Sequence, residues 1–148
     1  MRFTFYVVNE AALPPAATRG TAAATPEAVI AAIRERGGRW TQVGLGVDAF
    51  AKVFETIERF TGTSNLLPNL AFTGSPQLLL TARPGTWRLG YFEASLVPHL
   101  HAVLQHFGST IDAAMEPLGD DAEAAFAAFR SALAEAAARG FAVAILHE

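Results

Sequence analysis

Apolar residues recur along this chain in two periods. At its start Phe3, Phe5 and Val7 alternate with Thr4, Tyr6 and Val8. Both sets are largely apolar, which predicts a strand over residues 2–8 buried on both faces. Towards its end, Phe126, Phe129 and Leu133 share one helical face in an alanine-rich stretch that Gly140 stops. The apolar run from Phe141 to Leu146 then predicts a short strand, again buried on both faces. The alanines of the helix allow close approach to whatever it packs on. Glu135 and Arg139 form a favourable i,i+4 pair on it.

Between these ends the elements alternate. Thr25, Pro26 and Glu27 read as a helix start: an N-cap, a proline in the first turn and an acid near the positive end of the dipole. Val29, Ile30 and Ile33 give this helix its buried stripe, and Gly37 and Gly38 end it. Residues 40–46 predict a weaker strand. Asp48 is the expected cap of a second helix, whose stripe is Phe50, Val53, Phe54, Ile57 and Phe60. Residues 78–83 and 86–92 flank Pro84-Gly85 and predict a β-hairpin, since the second residue of a type II turn needs positive φ. Ser95 is the expected cap of a third helix carrying Leu96, Leu100, Val103, Leu104 and Phe107, with Gly108 as its expected stop. A short helical piece over 109–118 follows, and Asp120-Asp121 is the expected N-cap of the last helix. About four helices and five or six strands in mixed order predict an α/β or α+β fold. We expect a single layered domain over residues 1–148, with a mixed sheet that includes the hairpin.

Composition adds to this picture. A chain of 148 residues needs neither disulfide nor metal to bury a core. Eleven phenylalanines predict a Phe-rich core. They also predict an apolar surface rich in Phe and Leu, covered by a partner subunit, so that self-association as a homodimer is expected. With no cysteine, disulfides, thiolate catalysis and Cys-based zinc sites are excluded. The net charge is −3, and Lys52 is the one lysine among eleven basic residues. That arginine and alanine bias reads as a GC-rich bacterial genome. A mildly acidic chain with scattered arginines is a poor nucleic-acid binder. No apolar run approaches the ~20 residues of a membrane span. No cleavage site follows the opening strand, so a soluble, cytoplasmic protein is expected.

Candidate chemistry is sparse. Gly44-Leu-Gly46-Val-Asp-Ala49 has the form G-x-G-x-x-A at a strand-to-helix junction. Asp48 would place a carboxylate beside a pyrophosphate, and no acid lies between Glu58 and Glu93 to hold a ribose. A glycine-containing turn capped by Asp48 is the better reading, and no cofactor is expected. His99, His101 and His106 are the candidate metal ligands. On a strand His99 and His101 would share a face. On a helix they point about 200° apart, so histidines at the edge of an apolar face are the competing reading. G-x-S-x-G, Walker A and H-E-x-x-H motifs are missing. The long loops are expected over 9–20 and 61–74; the residues in and just after the second, Asn65, Asn69, Thr73 and Ser75, and Trp87 and Tyr91 of the hairpin are the candidate ligand-binding residues.

Trp87-Arg-Leu-Gly-Tyr-Phe92 leading into a helix through Leu96 and Val97 is similar to the YfbM-like family of uncharacterised bacterial proteins. So are the ending from Phe126 to Leu146 and the opening Phe5-Tyr-Val-Val-Asn-Glu. Residues 40–46 depart from that family, which tends to carry a Trp-containing helix there. The resemblance implies a small three-layer α/β domain of unknown activity and carries over no catalytic residue. The expectation is a non-catalytic binding or self-associating domain, with a protein partner as one form of it. The alternatives are a small-molecule-binding domain or small enzyme with a pocket between the long loops and the hairpin, and, more weakly, an antitoxin or immunity-type neutraliser.

Overall fold

The structure, a computed structural model, describes residues 2–13, 26–61 and 89–147. Within them lie four strands and four α-helices. In chain order these are β1 (Arg2–Val8), α1 (Pro26–Arg36), β2 (Gly38–Gly44), α2 (Val47–Thr61), β3 (Leu89–Phe92), α3 (Val97–Met115), α4 (Asp120–Arg139) and β4 (Ala142–His147). The strands form one sheet in the order β2-β1-β4-β3, and all three pairings are antiparallel. Helices packed on a sheet whose described strands all pair antiparallel make the fold α+β. The expected hairpin partner of β3, with Pro84-Gly85, lies outside the described residues. So does the expected cap Thr25.

The two-sided burial of β1 organises the molecule. Phe3, Phe5 and Val7 pack with Val143, Ile145 and Phe92 against α2, α3 and α4. Tyr6 and Val8 pack on the opposite face with Ala142, Ala144, Leu146 and Tyr91, against Leu13 and the Ile30 and Ile33 of α1. The result is three layers: α1, the sheet, and the three-helix layer. Aromatic stacking joins the sheet to its thicker side. Phe3 stacks on Phe50 at 3.8 Å between centroids, and Phe129 meets Phe54 at 5.0 Å and Phe92 at 5.3 Å. Such pairs add about 0.5–1.5 kcal/mol each beyond their buried area. Of the phenylalanines on described residues, Phe3, Phe5, Phe50, Phe54, Phe92, Phe126 and Phe129 are fully buried. Phe60, Phe107 and Phe141 pack against the same core. Among the described residues the large hydrophobics are thus mainly interior, and the exposed ones are Trp40 and Leu118.

Helix ends depart from the sequence reading in instructive ways. Gly108 does not stop α3; the helix runs on to Met115 because Ile111 and Met115 continue its buried stripe. Ser95 does not cap it: Leu96 occupies the cap position with helical φ and ψ, and proline fills the first turn. Asp48 lies inside the first turn of α2 rather than before it. Gly119, not an aspartate, is the N-cap of α4, and Asp120, Asp121 and Glu123 sit in the first turn, where they complement the helix dipole. The other end of α4 is as expected. Gly140 adopts φ 70°, and its N–H donates to the carbonyl of Ala136, closing the helix with a left-handed residue that favours glycine. Glu135 and Arg139 pair at 2.6 Å. The Gly44–Gly46 segment is the turn from β2, the edge strand among the described residues, into α2, with Leu45 buried. Dinucleotide sites instead use the carboxyl ends of parallel strands. Among the described residues, no helix is long and apolar enough to cross a membrane.

Candidate functional site

Helices α3 and α4 are joined by the short turn at Glu116–Leu118, so they run antiparallel and side by side. On α3, His101, Leu104, Gln105 and Asp112 recur at helical spacing; on α4, Ala127, Arg130, Ser131 and Ala134 do the same. These two faces, with Leu133, line an open groove of about 440 Å³. Its floor is apolar, from the buried Leu104 and Leu133. Its walls carry an imidazole, a carboxamide, a hydroxyl and an ion pair.

Arg130 is the best-positioned group in the groove. Its Nη1 donates to Asp112 Oδ2 at 3.2 Å, and its guanidinium lies 5.5 Å from the Phe126 ring. It also lies flat against Gly108: a Cβ there would meet Arg130 Nη2 at 2.8 Å. The guanidinium thus lies over the position of α3 that lacks a Cβ. The Asp112 contact is single and long for a charge-assisted bond, so the fork of Arg130 is not filled by a bidentate carboxylate.

A strand irregularity brings Trp40 to the groove's edge. Phe5 pairs with Thr41 and Tyr6 with Arg39, so Trp40 is the extra residue of a β-bulge. Bulges re-aim side chains at sheet edges. Here Trp40 Nε1 donates to Ser131 Oγ at 2.8 Å, while the residue stays 41% exposed. An aromatic held by one hydrogen bond and still open to solvent flanks the groove on its Ser131 side.

On the opposite face of the sheet, Tyr91 is only 2% exposed. Its hydroxyl donates to Glu10 Oε2 at 2.8 Å, and the backbone N–H of Ala94 donates to Glu10 Oε1 at 3.0 Å. Burial first, then the hydrogen bond to Glu10 and the negative charges of Glu10 and Glu93, hold the Tyr91 hydroxyl well above the usual phenol range. It is a neutral donor locking the end of β3 to the residues after β1. A shallow depression of about 340 Å³ beside it is lined by Tyr91, Glu93, Ser95 and Leu96. A third, between α2 and the α3–α4 turn, is lined by Lys52, Glu55, Thr56, Arg59 and Leu118 among others.

The expected site residues separate. Asn65, Asn69, Thr73, Ser75 and Trp87 lie outside the described residues. Tyr91 lies in the interior with its hydroxyl engaged. His99, His101 and His106 are all on α3, and the helix does not gather them. His101 lines the groove, while His99 and His106 are exposed and His106 packs edge-on against Phe107 at 4.7 Å. Among the described residues, no group of three or more His, Cys, Asp or Glu side chains is placed to hold a metal ion. The groove's Gln105, Asp112, Arg130 and Ser131 had no signal as a motif. Their signal was two helical faces across a short turn, visible once α3 was known to run through Gly108. Compared with protein-family models, curated proteins and solved structures, the chain matches none.

Proposed function

We propose that this protein is a non-catalytic ligand-binding domain and that the α3–α4 groove is its site. The observation that carries this reading is the guanidinium of Arg130, packed over Gly108 and beside the Phe126 ring and met by a carboxylate at one point only. Tryptophan and arginine dominate binding hot spots, and Trp40 is bonded to Ser131 of the groove. A volume near 440 Å³ is that of a small-ligand cleft. The test is a fragment titration followed by amide shifts of the labelled protein. Shifts clustered on Gln105, Arg130, Ser131 and the Trp40 indole support the reading. Shifts clustered on Tyr91 and Leu96, or none, contradict it.

A second reading keeps self-association. Among the described residues β2 pairs on one side only, and it carries the exposed Trp40. A second copy could add its own β2 there, although the bulge twists that edge and disfavours it. Light scattering across a dilution series, with wild type and Trp40→Ala compared, decides this. A dimer lost in the variant supports it, and a monomer throughout rejects it.

A further inference from the structure

We infer that the groove recognises an amphipathic carboxylate, with Arg130 gripping the anionic end and the exposed methyls of Ala127 and Ala134 flanking a short apolar body. The inference rests on the groove being a binding site and names the ligand chemistry. Arginine presents five N–H donors in a planar fork that matches a carboxylate two-to-two. Asp112 uses one of them, from Nη1 at 3.2 Å. The pair is exposed on both sides, 36% for Arg130 and 59% for Asp112. Exposed pairs of this kind are weak, so an incoming carboxylate displaces Asp112 at little cost.

Two features place the fork where a ligand would meet it. The missing side chain of Gly108 lets the guanidinium lie on α3, and the Phe126 ring faces it. Apart from Asp112, the residues lining the groove bring no second negative charge. His101, Gln105 and Ser131 add hydrogen-bonding groups around the seat. The floor beyond it is aliphatic, so a fully hydrated dianion fits less well than an acid with a short hydrocarbon body.

Such chemistry has two sources, a small fatty or branched acid and the C-terminus of a peptide. The experiment is calorimetric titration of the full chain with hexanoate, hexanamide, and N-acetyl-Leu-Ala-Leu as the free acid and as the amide. Hexanoate is expected to bind at least tenfold more tightly than hexanamide. Arg130→Gln should lower hexanoate affinity tenfold or more and leave hexanamide unchanged. Gly108→Ala should lower it several-fold by displacing the fork, and Asp112→Asn should raise it several-fold by freeing the seat. Peptide acid binding tenfold more tightly than hexanoate assigns the C-terminus; hexanoate binding as tightly or more so assigns the small acid. Equal affinity of acid and amide, or an Arg130→Gln variant that keeps full hexanoate affinity, overturns the carboxylate assignment while the binding reading stands. If no probe binds, the inference fails, and the fragment titration then decides the reading itself.

Discussion

The two best-defined polar arrangements of this chain lie on opposite sides of its sheet, and they are built in opposite ways. Tyr91 and Glu10, 81 residues apart, meet at 2.8 Å, and the second carboxylate oxygen takes the Ala94 N–H. Arg130 and Asp112, 18 residues apart, meet once at 3.2 Å in the open. In the first, the buried donor and both oxygens of the carboxylate are matched, so the cluster holds β3 to the end of β1. In the second, a partly exposed cation keeps most of its donors. Buried polar groups must be satisfied by the fold itself. An exposed group that the fold positions but does not saturate is the better place to look for binding.

The largest effect that would sharpen this contrast is at Glu10. Glu10→Ala leaves the Tyr91 hydroxyl and the Ala94 N–H without their partner, and each unsatisfied buried group costs about 1–3 kcal/mol. Urea unfolding should show a loss of about 2–3 kcal/mol. A loss below about 1 kcal/mol would mean that the clamp is not structural. Tyr91→Phe should cost less, about 1 kcal/mol, because only one hydrogen bond goes. It should also change the alkaline limb. The folded state holds the Tyr91 proton more tightly than the unfolded chain does. Its contribution is therefore fully present below the unfolded value of about 10 and falls above it by about 1.4 kcal/mol per pH unit. The Phe variant should lack that term, so the two stability curves should converge as pH rises above about 10.

How much of this the sequence made legible depends on the range of the interaction. The α4–β4 ending was readable because Gly140 and the spacing of Phe126, Phe129 and Leu133 are local signals. The two-sided burial of β1 was readable from its unbroken apolar run. Gly108 was misread because a glycine after an apolar stripe is locally a stop. Its real neighbour is Arg130, on another helix. The histidines, conspicuous in the sequence, were dispersed by the 3.6-residue period of α3, and one of them, His101, lines the groove. Trp40 gave no sign of its bulge, which comes from the register against Phe5 and Tyr6.

A smaller effect is expected at the groove's edge. Trp40→Phe removes the bond to Ser131 and should cost about 0.5 kcal/mol, because water can replace it on an exposed side chain. It should lower hexanoate affinity less than Arg130→Gln does. A larger loss from Trp40→Phe would move the anchor from the cation to the indole.

The account turns on whether Arg130 is a structural or a ligand-facing residue, and urea unfolding of Arg130→Gln tests that most directly. An exposed, singly bonded ion pair predicts a loss of about 0.5 kcal/mol, with the unfolding slope unchanged. A loss as large as that of Glu10→Ala would make Arg130 part of the fold's own support, and would contradict the assignment of the α3–α4 groove as a binding site.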